Sequence, residues 1–182
     1  MRFFTPELLK RCRSSGRAEA EPAEAEWDAA IDAYARHLKA LRRDMPIAAR
    51  RALRLPSLHD GELLGYMGER TAPRATMIVR LEGHEGDPGR LVAFRYLTST
   101  PDGKGGIAAE HHDVGAKGDI SKHKSRILAD EFDSEGDVFA HSVMLSNGLV
   151  FRVRFRDVSA RLVEPFLVPE SLGVGLPDLA LA

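Results

Sequence analysis

The sequence predicts an α+β fold: two or three N-terminal helices packed on a mainly antiparallel sheet of about six strands, meander-like, ending in a closing β-hairpin. Three observations carry that expectation. Apolar residues recur at helical spacing over the first part of the chain, a period of two takes over after Pro56, and Val138 to Asp157 reads as two strands joined at Asn147-Gly148. With 182 residues, 43% of them hydrophobic, the chain can bury the core of a single domain. Its expected parts are a helical region over 1–55, the antiparallel sheet over 58–164 and an extended Pro- and Leu-rich tail over 165–182.

Taken in order, Thr5-Pro6-Glu7 is a helix start, with Thr5 as N-cap, Pro6 at the first helical position and Glu7 in the positively polarised first turn. Leu8, Leu9 and Cys12 form the expected buried side of this short helix. Residues 14–20 interrupt it, and a second helix is expected from about Glu21 to Met45. Trp27, Ile31, Tyr34, Leu38, Leu41 and Met45 step by four and three, which keeps them on one stripe, while Asp28, Asp32, Arg36 and Lys39 face solvent. Pro46 ends that helix, and Ile47 to Leu53 is long enough for one or two more turns. Strands are then expected at Glu62–Gly68, Thr76–Glu82, Arg90–Thr98 and Ser125–Phe132, with a turn at 83–89.

Asn-Gly accommodates two consecutive positive φ angles, so the final hairpin is expected to turn on two residues in a type I′ conformation. That register sets Ser146 against Leu149, Met144 against Phe151, Ser142 against Val153, His141 against Arg154 and Phe139 against Arg156. One hairpin face then holds Ala140, Met144, Phe151, Val153 and Phe155. The other mixes Phe139, Val143, Leu145 and Val150 with His141, Arg152, Arg154 and Arg156, and an apolar content that high implies cover by the tail or by a partner. Alternate strand residues lie about 7 Å apart, so the three arginines form a ladder, either solvated or open to an acidic partner. Arg152, Arg154, Arg156 and Phe139 are the expected binding surface.

The composition excludes several functions. Basic residues number 26 and acidic residues 27, so no global cationic field draws in nucleic acid. No run approaches the length of a membrane span, and the one cysteine, Cys12, rules out an internal disulfide. A soluble cytoplasmic protein is expected. Residues 98–124 lack a period and carry His111, His112, Asp113 and His123, which are potential metal ligands without helical spacing; a solvated loop is the default, and no cofactor is expected. The acidic run Asp130, Glu131, Asp133, Glu135 and Asp137 lacks EF-hand spacing and reads as a solvated turn. His59 and Asp60 sit at the junction of helices and sheet. Pairing of the fourth and fifth strands is expected to bring Glu131 to the face of His141 and Arg154, where a His–carboxylate–Arg network would fix the register.

FFTPELL at the start, LHD before the first strand, DEFD, and HSVMLSNG with FRVRFRD resemble a group of small bacterial proteins built on a domain of unknown function. The resemblance implies helices ahead of a sheet and transfers no catalytic residue. The reading from the residues is a non-enzymatic protein-binding or accessory module, of the kind found among inhibitor or immunity proteins, whose partner is another protein or a second copy of itself. Two alternatives stand beside it: a metal-assisted or acid/base hydrolase using His59, Asp60, Glu131 and His141, and a homo-oligomer using the Arg-rich face.

Overall fold

The computed structural model describes residues 1–68, 72–81, 89–98, 107–112 and 126–163. Three helices precede the sheet: α1 (Pro6–Cys12), α2 (Arg17–Leu41) and α3 (Ile47–Ala52). α1 begins as its sequence dictates, with Pro6 in the first turn and the Thr5 hydroxyl accepting from the Leu8 N–H at 3.1 Å. α2 starts earlier than expected and takes Pro22 inside its body. The entry is held by Ser14, whose Oγ accepts from the Gly16 N–H at 3.2 Å and bonds Glu19 Oε2 at 2.7 Å. Pro22, the sixth residue of the helix, cannot donate to the Ala18 carbonyl and crowds it, a cost confined to the first two turns.

The buried line of α2 also differs from the expected one. It runs through Ala23, Trp27, Ala30, Tyr34, His37 and Leu41, and Ile31 is 48% exposed. Ala30 takes the contact because α2 packs on α1 and on the edge of the sheet, where a small side chain permits close approach. The N-terminal segment lies between them: Phe4 is 5.0 Å from the Trp27 ring, and Phe3 is 5.5 Å from Tyr34.

The strands are β1 (Glu62–Gly68), β2 (Arg74–Leu81), β3 (Arg90–Thr98), β4 (Ile107–His111), β5 (Ile127–Glu135), β6 (Val138–Leu145) and β7 (Leu149–Val163). Two antiparallel meanders, β1-β2-β3 and β5-β6-β7, join where β3 pairs with the second half of β7. β4 continues the line of β3 along the first half of the same β7 edge. This seventh strand arises inside the stretch read as loop. Ala109 and Glu110 pair with Phe151 and Val150, a long-range match that local periodicity does not display. The metal candidates Asp113 and His123, like the tail 164–182 and most of the turn at 83–89, lie outside the described residues.

The sheet curls until its two edge strands meet. The Asp60 N–H donates to the Ile127 carbonyl at 2.9 Å, the Ile127 N–H donates to Gly61 at 2.8 Å, and Glu62 bridges Arg126. Inside the curl lie Met77, Val79, Val92, Phe94, Tyr96, Val143, Phe151, Val153 and Phe155, together with Leu41, Met45, Ala49 and Ala52 from the helical region. A second cluster forms on the outer side, where Phe4 and Leu9 cover Ala129 and Met144.

The hairpin register is one residue away from the expected one. Gly148 alone in the turn has positive φ (85°), and its N–H donates to the Leu145 carbonyl at 3.0 Å. The loop is therefore three residues, Ser146 to Gly148, a turn closed by one left-handed glycine rather than a type I′ pair. Phe139 now opposes Phe155, His141 opposes Val153, Ser142 opposes Arg152 and Ala140 opposes Arg154. A one-residue slip exchanges faces between paired strands. His141 and Phe139 move to the inner core face, while Arg152 and Arg154 share the outer face with Ser142 and Met144.

Candidate functional site

The inner face carries one polar line. His141, fully buried, stacks on Phe132 at 3.9 Å between ring centres, with Phe94 at 5.5 Å. Its Nδ1 lies 2.7 Å from the Tyr96 hydroxyl and its Nε2 lies 3.2 Å from Asp130 Oδ2. In the tautomer that donates from Nε2 to Asp130, Nδ1 accepts the phenolic proton of Tyr96. Burial, followed by the nearby charge of Asp130, pushes the Tyr96 hydroxyl well above its ordinary pKa and keeps it a donor. Asp130 reaches a cavity of about 230 Å³ walled by Tyr34, Leu38, Leu53, Leu55, Phe94 and Phe132.

Glu131 is not part of this line. The turn at Gly136-Asp137 pairs Glu131 with Ser142 and Phe132 with His141, so Glu131 and His141 occupy opposite faces. Buried among the N-terminal residues, Glu131 Oε2 accepts from Arg2 N–H at 2.8 Å, and Oε1 accepts from Phe3 and Phe4 N–H at 2.8 and 2.6 Å. It ties the start of the chain to the sheet. Asp130, one residue earlier, is the carboxylate that His141 meets. The acidic run is thus strand and structural contact, and only Gly136-Asp137 forms the turn.

His59 and Asp60 lie on a half-exposed turn, where Nδ1 and Oδ2 approach to 2.9 Å. Ser57 Oγ accepts from the His59 N–H at 3.2 Å, and Asp60 adopts φ +64° to deliver its own N–H to Ile127. The work of this motif is to close the edge of the sheet. His59, Asp60, Glu131 and His141 therefore do not form one catalytic group, since two of them are separated by the sheet itself.

Two of the three rungs of the arginine ladder share one carboxylate. Arg152 Nη2 and Arg154 Nε lie 2.5 Å from the two carboxylate oxygens of Glu135, and Arg152 Nη1 donates to Ser142 Oγ at 2.9 Å. Burial raises the pKa of Glu135, but the Arg154 hydrogen bond and the Arg152 charge outweigh it and hold the carboxyl below its usual range. Arg156 is exposed, at a bulge where Leu97 opposes Asp157 and Thr98 opposes Phe155. Phe139 points to the inner core and packs 6.0 Å from Phe155, so it shares no surface with the arginines. His111 ends β4 and His112 follows it, with His112 Nε2 3.5 Å from Glu110. Among the described residues, no three His, Cys, Asp or Glu side chains gather as metal ligands.

A surface that the hairpin reading missed is the outer face of β1, β2, β3 and the second half of β7. Among the described residues nothing covers it. It exposes Leu64 (43%), Met67 (61%) and Leu97 (43%) beside Arg74, Arg95 and Arg161. A depression of about 590 Å³ runs across it, lined in part by Arg74, Thr76, Arg95, Leu97, Asp157 and Ser159. The signal was present in the alternation of β2 and β3, whose outward positions hold Arg74, Thr76, Ile78, Arg80, Arg95 and Leu97 rather than a run of small polar residues.

No family model, curated protein or solved structure matches this chain. No helix among the described residues is long and apolar enough to cross a membrane.

Proposed function

We propose that the protein is a non-catalytic binding module whose working surface is the outer face of β1-β2-β3 and the second half of β7. One observation carries this reading. The chain covers the outer face of its other meander with its own N-terminal segment, through Phe4 and Leu9, but leaves Leu64, Met67 and Leu97 exposed on this one. Clustered exposed apolar side chains rimmed by charge are the usual mark of an interaction site. The partner is a protein, because a shallow, wide face with arginines at its centre suits an acidic protein surface better than a small molecule. Cytoplasmic placement belongs to the same reading, supported by the lone cysteine.

The test is capture with tagged full-length protein after crosslinking, comparing the natural chain with Met67→Glu/Leu97→Glu and Arg152→Glu/Arg154→Glu variants of verified fold. The reading expects a partner, a second copy of the chain included, that is lost with the first variant and kept with the second. Identical capture by all three, or no capture at all, would overturn it.

A further inference from the structure

We propose that the occupant of this face is the acidic stripe of α2 from a second copy of the chain. The inference rests on the binding-module reading and names its partner.

The two surfaces match in charge and spacing. Arg95 opposes Thr76 and Ser159, Arg74 opposes Leu97, and Arg161 opposes Ala93. Arg74, Arg95 and Arg161 therefore form one diagonal across three adjacent strands, with steps of about 7–8 Å. None of the three forms an ion pair among the described residues. Arg80, paired with Glu62 at 2.8 Å, lies farther along β2. On α2, Glu24, Asp28 and Asp32 stand at i, i+4 and i+8, a single exposed row with a rise of about 6 Å per step. They too are outside any ion pair among the described residues, whereas Glu21 and Glu26 are taken by Arg17 and Arg11. Arginine side chains are long enough to absorb the small difference in pitch.

The apolar parts also correspond. Ile31, turned out to solvent, flanks the acidic row. Ile78 and Ala93 oppose each other beside the arginine diagonal, with Met67 next to Thr76. A helix laid along the diagonal would set Ile31 toward these residues. The chain as a whole carries a charge of only -1, so like-charge repulsion does not keep copies apart. Reciprocal contact, in which each copy supplies helix and face to the other, gives an isologous two-fold dimer; a one-way contact is heterologous and builds a ring or a filament.

The experiment measures the oligomeric state of the full chain by light scattering after gel filtration, at low and high salt. We expect association at low salt that high salt weakens, because exposed ion pairs are screened. Arg74→Glu/Arg95→Glu/Arg161→Glu and Glu24→Lys/Asp28→Lys/Asp32→Lys should each be monomeric. Mixed in equal amounts, the two variants should associate one to one, since the natural helix of one meets the natural face of the other and the reversed pair is complementary as well. Recovery on mixing also guards against the charge variants having failed to fold.

A natural chain that stays monomeric at low salt and high concentration overturns the inference. So does self-association that appears only after removal of 164–182, which would make that segment the occupant, and so does association untouched by both charge reversals. If the chain is monomeric yet captures a different protein in a Met67- and Leu97-dependent way, the inference falls and the binding-module reading stands.

Discussion

Burial places all three tyrosines, Tyr34, Tyr66 and Tyr96, where ionisation is opposed. For Tyr34 and Tyr96 the negative charge of Asp130 adds to the burial. A phenol with a folded pKa above its unfolded value of about 10 contributes stability that is fully present below that pH and lost as the pH rises through the folded value. Alkaline titration should therefore show phenolate absorbance rising together with loss of circular dichroism; reversible ionisation near pH 10 in a still-folded protein would contradict the packing. Glu131 supports a second prediction. Its carboxylate accepts three backbone N–H groups, so Glu131→Ala should cost about 3 kcal/mol in denaturant unfolding and release the N-terminal segment to proteolysis. A cost below about 0.5 kcal/mol, the size of an ordinary surface substitution, would deny it that anchoring role. The sequence reading set Glu131 and Arg154 beside His141, and both lie on the other face of the sheet; the partners of His141 are Asp130 and Tyr96. Asp130 and Glu131 are neighbours of the same chemistry, and only the strand register decides which one meets His141.

That register is set at the level of the element, by two glycine-containing turns. Gly136 (φ +65°) begins a two-residue turn, and Gly148 (φ +85°) ends a three-residue one. Asn-Gly fits either a two-residue type I′ turn or the end of a three-residue loop, so the hairpin was readable and its pairing was not. The choice was made elsewhere: a Cβ on Gly148 would stand 2.1 Å from the His112 carbonyl oxygen, whose residue also donates its N–H to Gly148 at 2.8 Å. The end of β4 thus braces the turn. Gly148→Ala should cost clearly more than Gly136→Ala, which meets only the left-handed backbone penalty of about 1–2 kcal/mol in open space. Equal costs in thermal unfolding would show that β4 does not support the hairpin. The start of α1 was the easiest to read, because Thr5 and Pro6 act through local geometry; α2, expected from about Glu21 to Met45, runs Arg17–Leu41, and Pro46 opens α3 rather than closing α2. Ile31 was misplaced because hydrophobicity alone ranks it above Ala30, while the close approach of α2 selects the smaller side chain.

For the molecule as a whole, two meanders must hold one curled sheet together through β3-β7 on one side and a short seam on the other. Helices ahead of an antiparallel sheet followed from periodicity, but pairing between β3 and β7 spans most of the strand region and leaves no local trace. The seam has a single tight point. A Cβ on Gly61 would stand 2.8 Å from both the Leu58 carbonyl oxygen and Val79 Cγ1, so the chain reaches Ile127 only with glycine there. Gly61→Ala should force the turn outward at a cost of about 1–3 kcal/mol. If the seam opens as a local unit, hydrogen exchange at the Asp60 and Ile127 amides should speed up about ten- to a hundredfold, while amides of β2, β3 and β7 keep their protection. Uniform acceleration over the sheet would mean that closure and core form one cooperative unit. Local opening would mean that the curl is carried by the β3-β7 junction, and the outer face with Arg74, Arg95 and Arg161 would keep its shape while the far edge moves.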